Sequence, residues 1–129
     1  MKKLLITFAI ALASTAALAV PDWVLLAAAD TATWEGRSGT LTFGKTKGGK
    51  QIAVAEGRVL NLNTKIYAFE KWYVLTDQCR AGYGKVVTLN MAGEFLYETD
   101  FVDNGGSVAS ALADMLCYNV KNNASKGVL

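Results

Sequence analysis

Alternation of apolar and polar positions organises the chain from residue 22 to about residue 102. "DWVLLAAAD" (Asp22 to Asp30) is a short apolar run bounded by Pro21 and by Asp30-Thr31; it suits a buried strand, although Leu25 to Ala29 alone would tolerate a helix. "SGTLTFGKT" places Leu41 and Phe43 on one face and Thr40 and Thr42 on the other, and "QIAVAEGRVLNL" carries Ile52, Val54 and Val59. Between these runs lies Lys47-Gly48-Gly49-Lys50. Glycine reaches positive φ without steric cost, so a glycine pair between two alternating runs predicts a hairpin. Gly57, inside the second run, is expected to mark a bulge.

After the polar break "NLNTK" comes "IYAFEKWYVLTDQC", rich in aromatic and β-branched residues that suit a pleated surface. Taken as a strand running to Cys79, it has Trp72, Val74 and Thr76 on one face and Tyr73, Leu75, Asp77 and Cys79 on the other. "DQCRAGYGK" then reads as the end of that strand, a turn over Arg80 to Gly84, and a new strand from Lys85. "GKVVTLNM" and "EFLYETDFV" alternate on either side of Ala92-Gly93 and complete an antiparallel meander. Only the end changes period. Beyond Asn104-Gly105-Gly106, Ser107 is a candidate N-cap, and Val108, Leu112, Met115 and Leu116 recur at helical spacing with Cys117 at the edge of their face. The expected fold is α+β: an antiparallel sheet of about six strands with one C-terminal helix packed on one face. Residues 20–120 form a single domain in this reading, and 121–129 ("KNNASKGVL") a polar C-terminal tail.

The first 19 residues, "MKKLLITFAIALASTAALA", have a different character. Two lysines, an apolar run and an Ala17-Leu18-Ala19 end are the parts of a secretory signal peptide. The run falls short of the roughly 20 apolar residues of a spanning helix, so no stable membrane span is expected after cleavage. No cysteine follows Ala19 to accept a lipid. The 129 residues less these 19 leave 110, the length of one domain. Of the 13 basic residues, Lys2 and Lys3 leave with the leader, so 11 basic residues face 11 acidic ones. That balance gives no electrostatic footprint for nucleic acid. It also removes the charge repulsion that would oppose a homodimer. The expected location is periplasmic or secreted.

Chemistry is restricted by what is missing. With no histidine, Ser-His-Asp and Cys-His nucleophiles and histidine metal sites are excluded. Two cysteines cannot assemble a structural zinc set. In an exported chain, Cys79 and Cys117 are read as a disulfide in preference to a reactive thiol beside Arg80. "GYGK" has neither the length of a phosphate loop nor a following helix. Glu94, Glu98, Asp100 and Asp103 form the densest acidic group and are read as a solvated face with a helix-entry loop. No catalytic residue, cofactor or metal is expected. The remaining signal is aromatic: Trp23, Trp34, Tyr67, Phe69, Trp72 and Tyr73 exceed what one core face needs, and a sheet covered on one side leaves the other open to a partner.

A strand ending in cysteine ("KWYVLTDQC"), two further strands, and a helix ending in cysteine ("SVASALADMLC") resemble the surface-adhesin protein E-like family of bacterial envelope proteins over Trp72 to Cys117. The resemblance implies a six-stranded antiparallel sheet with a helix on one face, a Cys79–Cys117 bond, dimerisation through sheets, and adhesion to host matrix proteins without catalysis. Its namesake is lipid-anchored, whereas this chain lacks the lipoprotein cysteine. The expected function is a non-enzymatic binding module of the bacterial envelope, taking a protein or envelope ligand. The alternative is a periplasmic inhibitor or immunity protein against a cell-wall hydrolase or toxin.

Overall fold

The computed structural model describes residues 22–125, so the expected signal peptide and residues 126–129 lie outside it. The strands are β1 (Trp23–Ala28), β2 (Ala32–Arg37), β3 (Thr42–Lys45), β4 (Gln51–Asn61), β5 (Ile66–Leu75), β6 (Tyr83–Asn90) and β7 (Phe95–Val102). The helices are α1 (Thr76–Ala81), α2 (Val108–Leu116) and α3 (Tyr118–Ser125). One antiparallel sheet runs β1-β2-β4-β5-β6-β7. The long β4 pairs along one edge with β5 and divides its other edge between β2, at residues 57–61, and β3, at residues 51–54. Among the described residues no helix is long and apolar enough to cross a membrane.

The hairpin expected at Gly48-Gly49 is present: the Thr46 amide donates to the Lys50 carbonyl at 2.9 Å, and Gly49 takes φ +86°. Ala92-Gly93 turns the chain between β6 and β7 in the same way, with Gly93 at φ +89°. Ser107 caps α2, its hydroxyl accepting from the Ser110 amide at 3.0 Å.

Several expectations need correction. The sheet has seven strands, because Ala32–Arg37 also pairs. Its inward positions are Ala32, Trp34 and Gly36, of which two carry almost no hydrophobic signal; Gly36 is small because Leu26 and Met115 lie over it. The first apolar run is an edge strand with Val24 and Leu25 exposed, and it is bulged between Leu25 and Ala27. Among the described residues there are three helices where one was expected, and α1 occupies what reads as the end of a strand. Asp77 in its first turn, Arg80 in its last, and Gly82 at φ +87° with its amide bonded to the Gln78 carbonyl are ordinary helix start and stop signals. Over so short a segment they compete with a strand-like run of apolar residues just before them. Finally, α3 begins directly after Cys117, so the segment expected as a tail starts within a helix, where Lys121 pairs with Asp103.

The core lies between the sheet and α2. Ala53 and Ala55 of β4, Trp72 and Val74 of β5, Val86 of β6 and Phe101 of β7 pack against Ala109, Leu112, Ala113 and Leu116 of α2 and Val120 of α3. Gly57 makes no bulge: it pairs in unbroken register with Gly36 on one side and Glu70 on the other. Its role is space. A Cβ there would lie 2.1 Å from Cη2 of Trp72 and 2.8 Å from the Glu35 carbonyl oxygen. Small residues on β4 therefore make the bed on which the fully buried indole rests.

The Cys79–Cys117 disulfide ties α1 to the cap of α2, with Cα atoms 5.4 Å apart, so it joins two helices where a strand and a helix were expected. It closes a loop spanning 38 positions, which in the chain-entropy account stabilises the fold by about 4 kcal/mol.

Gly57→Ala should destabilise the domain by about 3 kcal/mol or more, since neither the backbone oxygen nor the buried ring has room to move. Equilibrium urea unfolding measures it, and a loss below about 1 kcal/mol would contradict the packing described. Replacing both cysteines by alanine should cost about 4 kcal/mol in the same assay, and intact mass after alkylation should find no free thiol in the native protein.

Candidate functional site

β-Strand alternation sorts the six candidate aromatics. Trp72 is fully buried under the helices, and Trp34 lies half-buried on the same side, packed on the core. Trp23, Tyr67 and Phe69 come together on the opposite, helix-free face of the sheet, and Tyr73 shares that face farther along β5, half-buried between Val54 and Val87. Neither Trp72 nor Trp34 belongs to the open surface, because period-two geometry sends even-numbered positions of these strands inward.

The three converging rings gather around a residue that composition does not single out. Arg58 is cross-strand partner to both Glu35 and Phe69. Its guanidinium carbon lies 4.1 Å from the ring centroid of Trp23 and 4.1 Å from that of Tyr67, so the cation is sandwiched between two π faces. Its Nε donates to Glu35 Oε1 at 2.6 Å. Phe69 extends the cluster, 5.9 Å from Trp23 and 6.3 Å from Tyr67. Arg37, facing Trp23 across the β1–β2 pair, lies 5.8 Å from its ring and reaches toward Glu56.

Each cation–π contact at such a half-exposed site is worth about 0.5–1 kcal/mol. Their larger effect is order: together with the Glu35 hydrogen bond they favour one arrangement of the rings. Phe69 remains 50% exposed and Leu25 61%, so the cluster presents apolar surface beside two guanidinium groups. The signal for Arg58 lay in the alternation of β4, which puts Glu56, Arg58 and Leu60 opposite Ala55 and Gly57. Its partners on β1, β2 and β5 are distant in sequence.

The acidic group is spread over the surface. Lys85 bonds Asp100 at 2.5 Å with Glu98 at 4.0 Å, and that hydrogen bond raises the lysine pKa. Asp103 pairs with Lys121, and Glu94 accepts from Asn90 Nδ2 at 2.8 Å. The carboxyl group that stands apart is Glu70, which lies on the helix side and is only 7% exposed. Its Oε1 accepts from Trp72 Nε1 at 2.7 Å. Burial pushes its pKa upward, and the Trp72 hydrogen bond opposes that rise. The Tyr97 phenol is pushed up too, first by burial and then by the charge of Glu70.

Glu70 thus holds its proton to higher pH in the folded chain than in the unfolded one. The native state binds more protons over that interval, so the contribution of Glu70 to stability is greatest below the ordinary value of 4.5 and is lost as pH rises through the folded pKa. Glu70→Gln keeps an acceptor for Trp72 and removes the ionisation. Its melting temperature should depend less steeply on pH across this interval and exceed that of the wild type at neutral pH. Melting curves from pH 4 to pH 8 check this, and parallel profiles for the two proteins would contradict it.

No protein-family model matches the chain, and no curated protein or solved structure is found to be similar to it.

Proposed function

We propose that this protein is an exported, non-enzymatic binding module of the bacterial envelope, similar in role to the surface-adhesin protein E-like family, and that it takes its protein or envelope ligand on the helix-free face of the sheet. One observation carries the reading: Arg58 held between Trp23 and Tyr67, with Phe69 half-exposed beside them. Tryptophan, tyrosine and arginine are the residues that dominate binding energy at protein interfaces, and they do so when ordered around a central anchor. A sheet supplies that order, because each side chain is set by register on four neighbouring strands. The disulfide suits an oxidising compartment. The absence of histidine and the ion pairs that engage Asp100 and Asp103 support recognition rather than catalysis.

The test uses the mature chain immobilised on a sensor surface and exposed in turn to extracellular-matrix proteins, purified peptidoglycan and outer-membrane vesicles. Saturable binding to one of them is expected. Arg58→Ala and Phe69→Ala should each weaken it about tenfold or more, while Lys85→Ala leaves it unchanged. Binding that survives both substitutions, or no binding to any of the three, would overturn the proposal. Inhibition of a cell-wall hydrolase in the absence of such binding would favour the inhibitor reading.

A further inference from the structure

The helix side of the sheet is not fully covered. Where α2 ends its coverage, a cleft of about 410 Å³ opens at the far ends of β2, β4 and β5, within the size range of small-ligand sites, about 300–1,000 Å³. Trp34, Val59, Asn61, Ile66, Glu70 and Tyr97 are among its lining residues. Ile66 is 66% exposed and Tyr97 49%, so the wall is open to solvent while the carboxyl group within it is almost fully buried.

Among the described residues Glu70 has no charge partner: it enters no ion pair, its single hydrogen bond comes from the Trp72 indole, and no lysine or arginine lines the cleft. Its sequence neighbour Lys71 is directed by alternation to the other face of the sheet, against Glu56 and Leu89. A buried carboxylate without a cation is costly, whereas the part-buried Glu35 is paired with Arg58.

We infer that this cleft binds an organic ammonium group, with Glu70 as counter-ion and the rings of Trp34 and Tyr97 as aromatic walls. A bare divalent ion would need several oxygen ligands, and among the described residues no three His, Cys, Asp or Glu side chains gather to hold one. An alkylammonium needs less. One carboxylate balances its charge, aromatic faces attract it through their quadrupoles, and its methylenes bury against Val59 and Ile66. Tyr67 and Tyr97 are the other titratable residues that line the cleft, and Tyr97 is neutral at physiological pH. The ammonium is either a free amine or a lysine side chain of a partner.

Titrations followed by amide and indole NMR signals of the ¹⁵N-labelled protein test this. The probes are n-butylammonium, tetramethylammonium, neutral n-butanol and a short lysine-containing peptide. The cationic probes should shift Glu70, Trp34 and Tyr97 saturably at millimolar concentration, about tenfold more tightly than butanol. Glu70→Gln, which preserves the Trp72 hydrogen bond, should erase that preference while remaining folded. Phe69→Ala, on the opposite face and outside the cleft lining, should leave it intact, so failure here and failure of the open-face reading are separable. Tighter binding of the peptide than of butylammonium identifies a partner's lysine as the source, and the reverse identifies a free amine. Equal binding of charged and neutral probes, an ammonium preference retained by Glu70→Gln, or no saturable shift at the cleft would overturn the inference.

Discussion

The fit of the Trp72 indole over Gly57 is the constraint on which the rest of the structure depends. A tryptophan at the centre of a sheet buries on the order of 200 Å², and here it is wholly withdrawn from solvent. It lies flat enough for α2 to pack above it only because β4 offers Ala53, Ala55 and Gly57 beneath and beside it. That same fit fixes which face of β4 and β5 turns inward. By the period of two it therefore also fixes which residues turn outward.

From that choice follow two surfaces of different chemistry. Outward, Arg58 is placed among Trp23, Tyr67, Phe69 and Glu35, where its charge is balanced and its planar group stacked, giving an ordered, half-exposed platform. Inward, the indole N–H of Trp72 needs an acceptor away from water and finds it in Glu70. The cost of burying that carboxyl appears as its raised pKa. The buried hydrogen bond and the buried carboxyl thus have one cause: a single large ring whose N–H must be satisfied away from water.

The helices are held by covalent and ionic ties as well as by the core. α1 leaves the sheet at Thr76, and the disulfide joins it to the point where α2 gives way to α3. Asp103 reaches Lys121 of α3 from the loop after β7. These ties pin the C-terminal helices over one half of the sheet, and the other half keeps its aromatic and aliphatic side chains exposed.

Sequence alone determined the periodic elements and their turns. Alternation marked β4 to β7, glycine at positive φ marked both hairpins, and Ser107 marked the start of α2, because each of these depends on neighbours a few residues away. It also determined the pairing of the cysteines, since only two were available. What only the tertiary structure decided was the meaning of small and charged residues. Gly57 reads as a bulge until the ring above it is seen, and Gly36 conceals a strand because Leu26 and Met115 supply its missing bulk. Arg58 and Glu70 carry the two candidate sites, yet neither has a local signature. Their character comes from strands brought together across tens of residues, where a guanidinium gains two aromatic faces and a carboxyl loses its water.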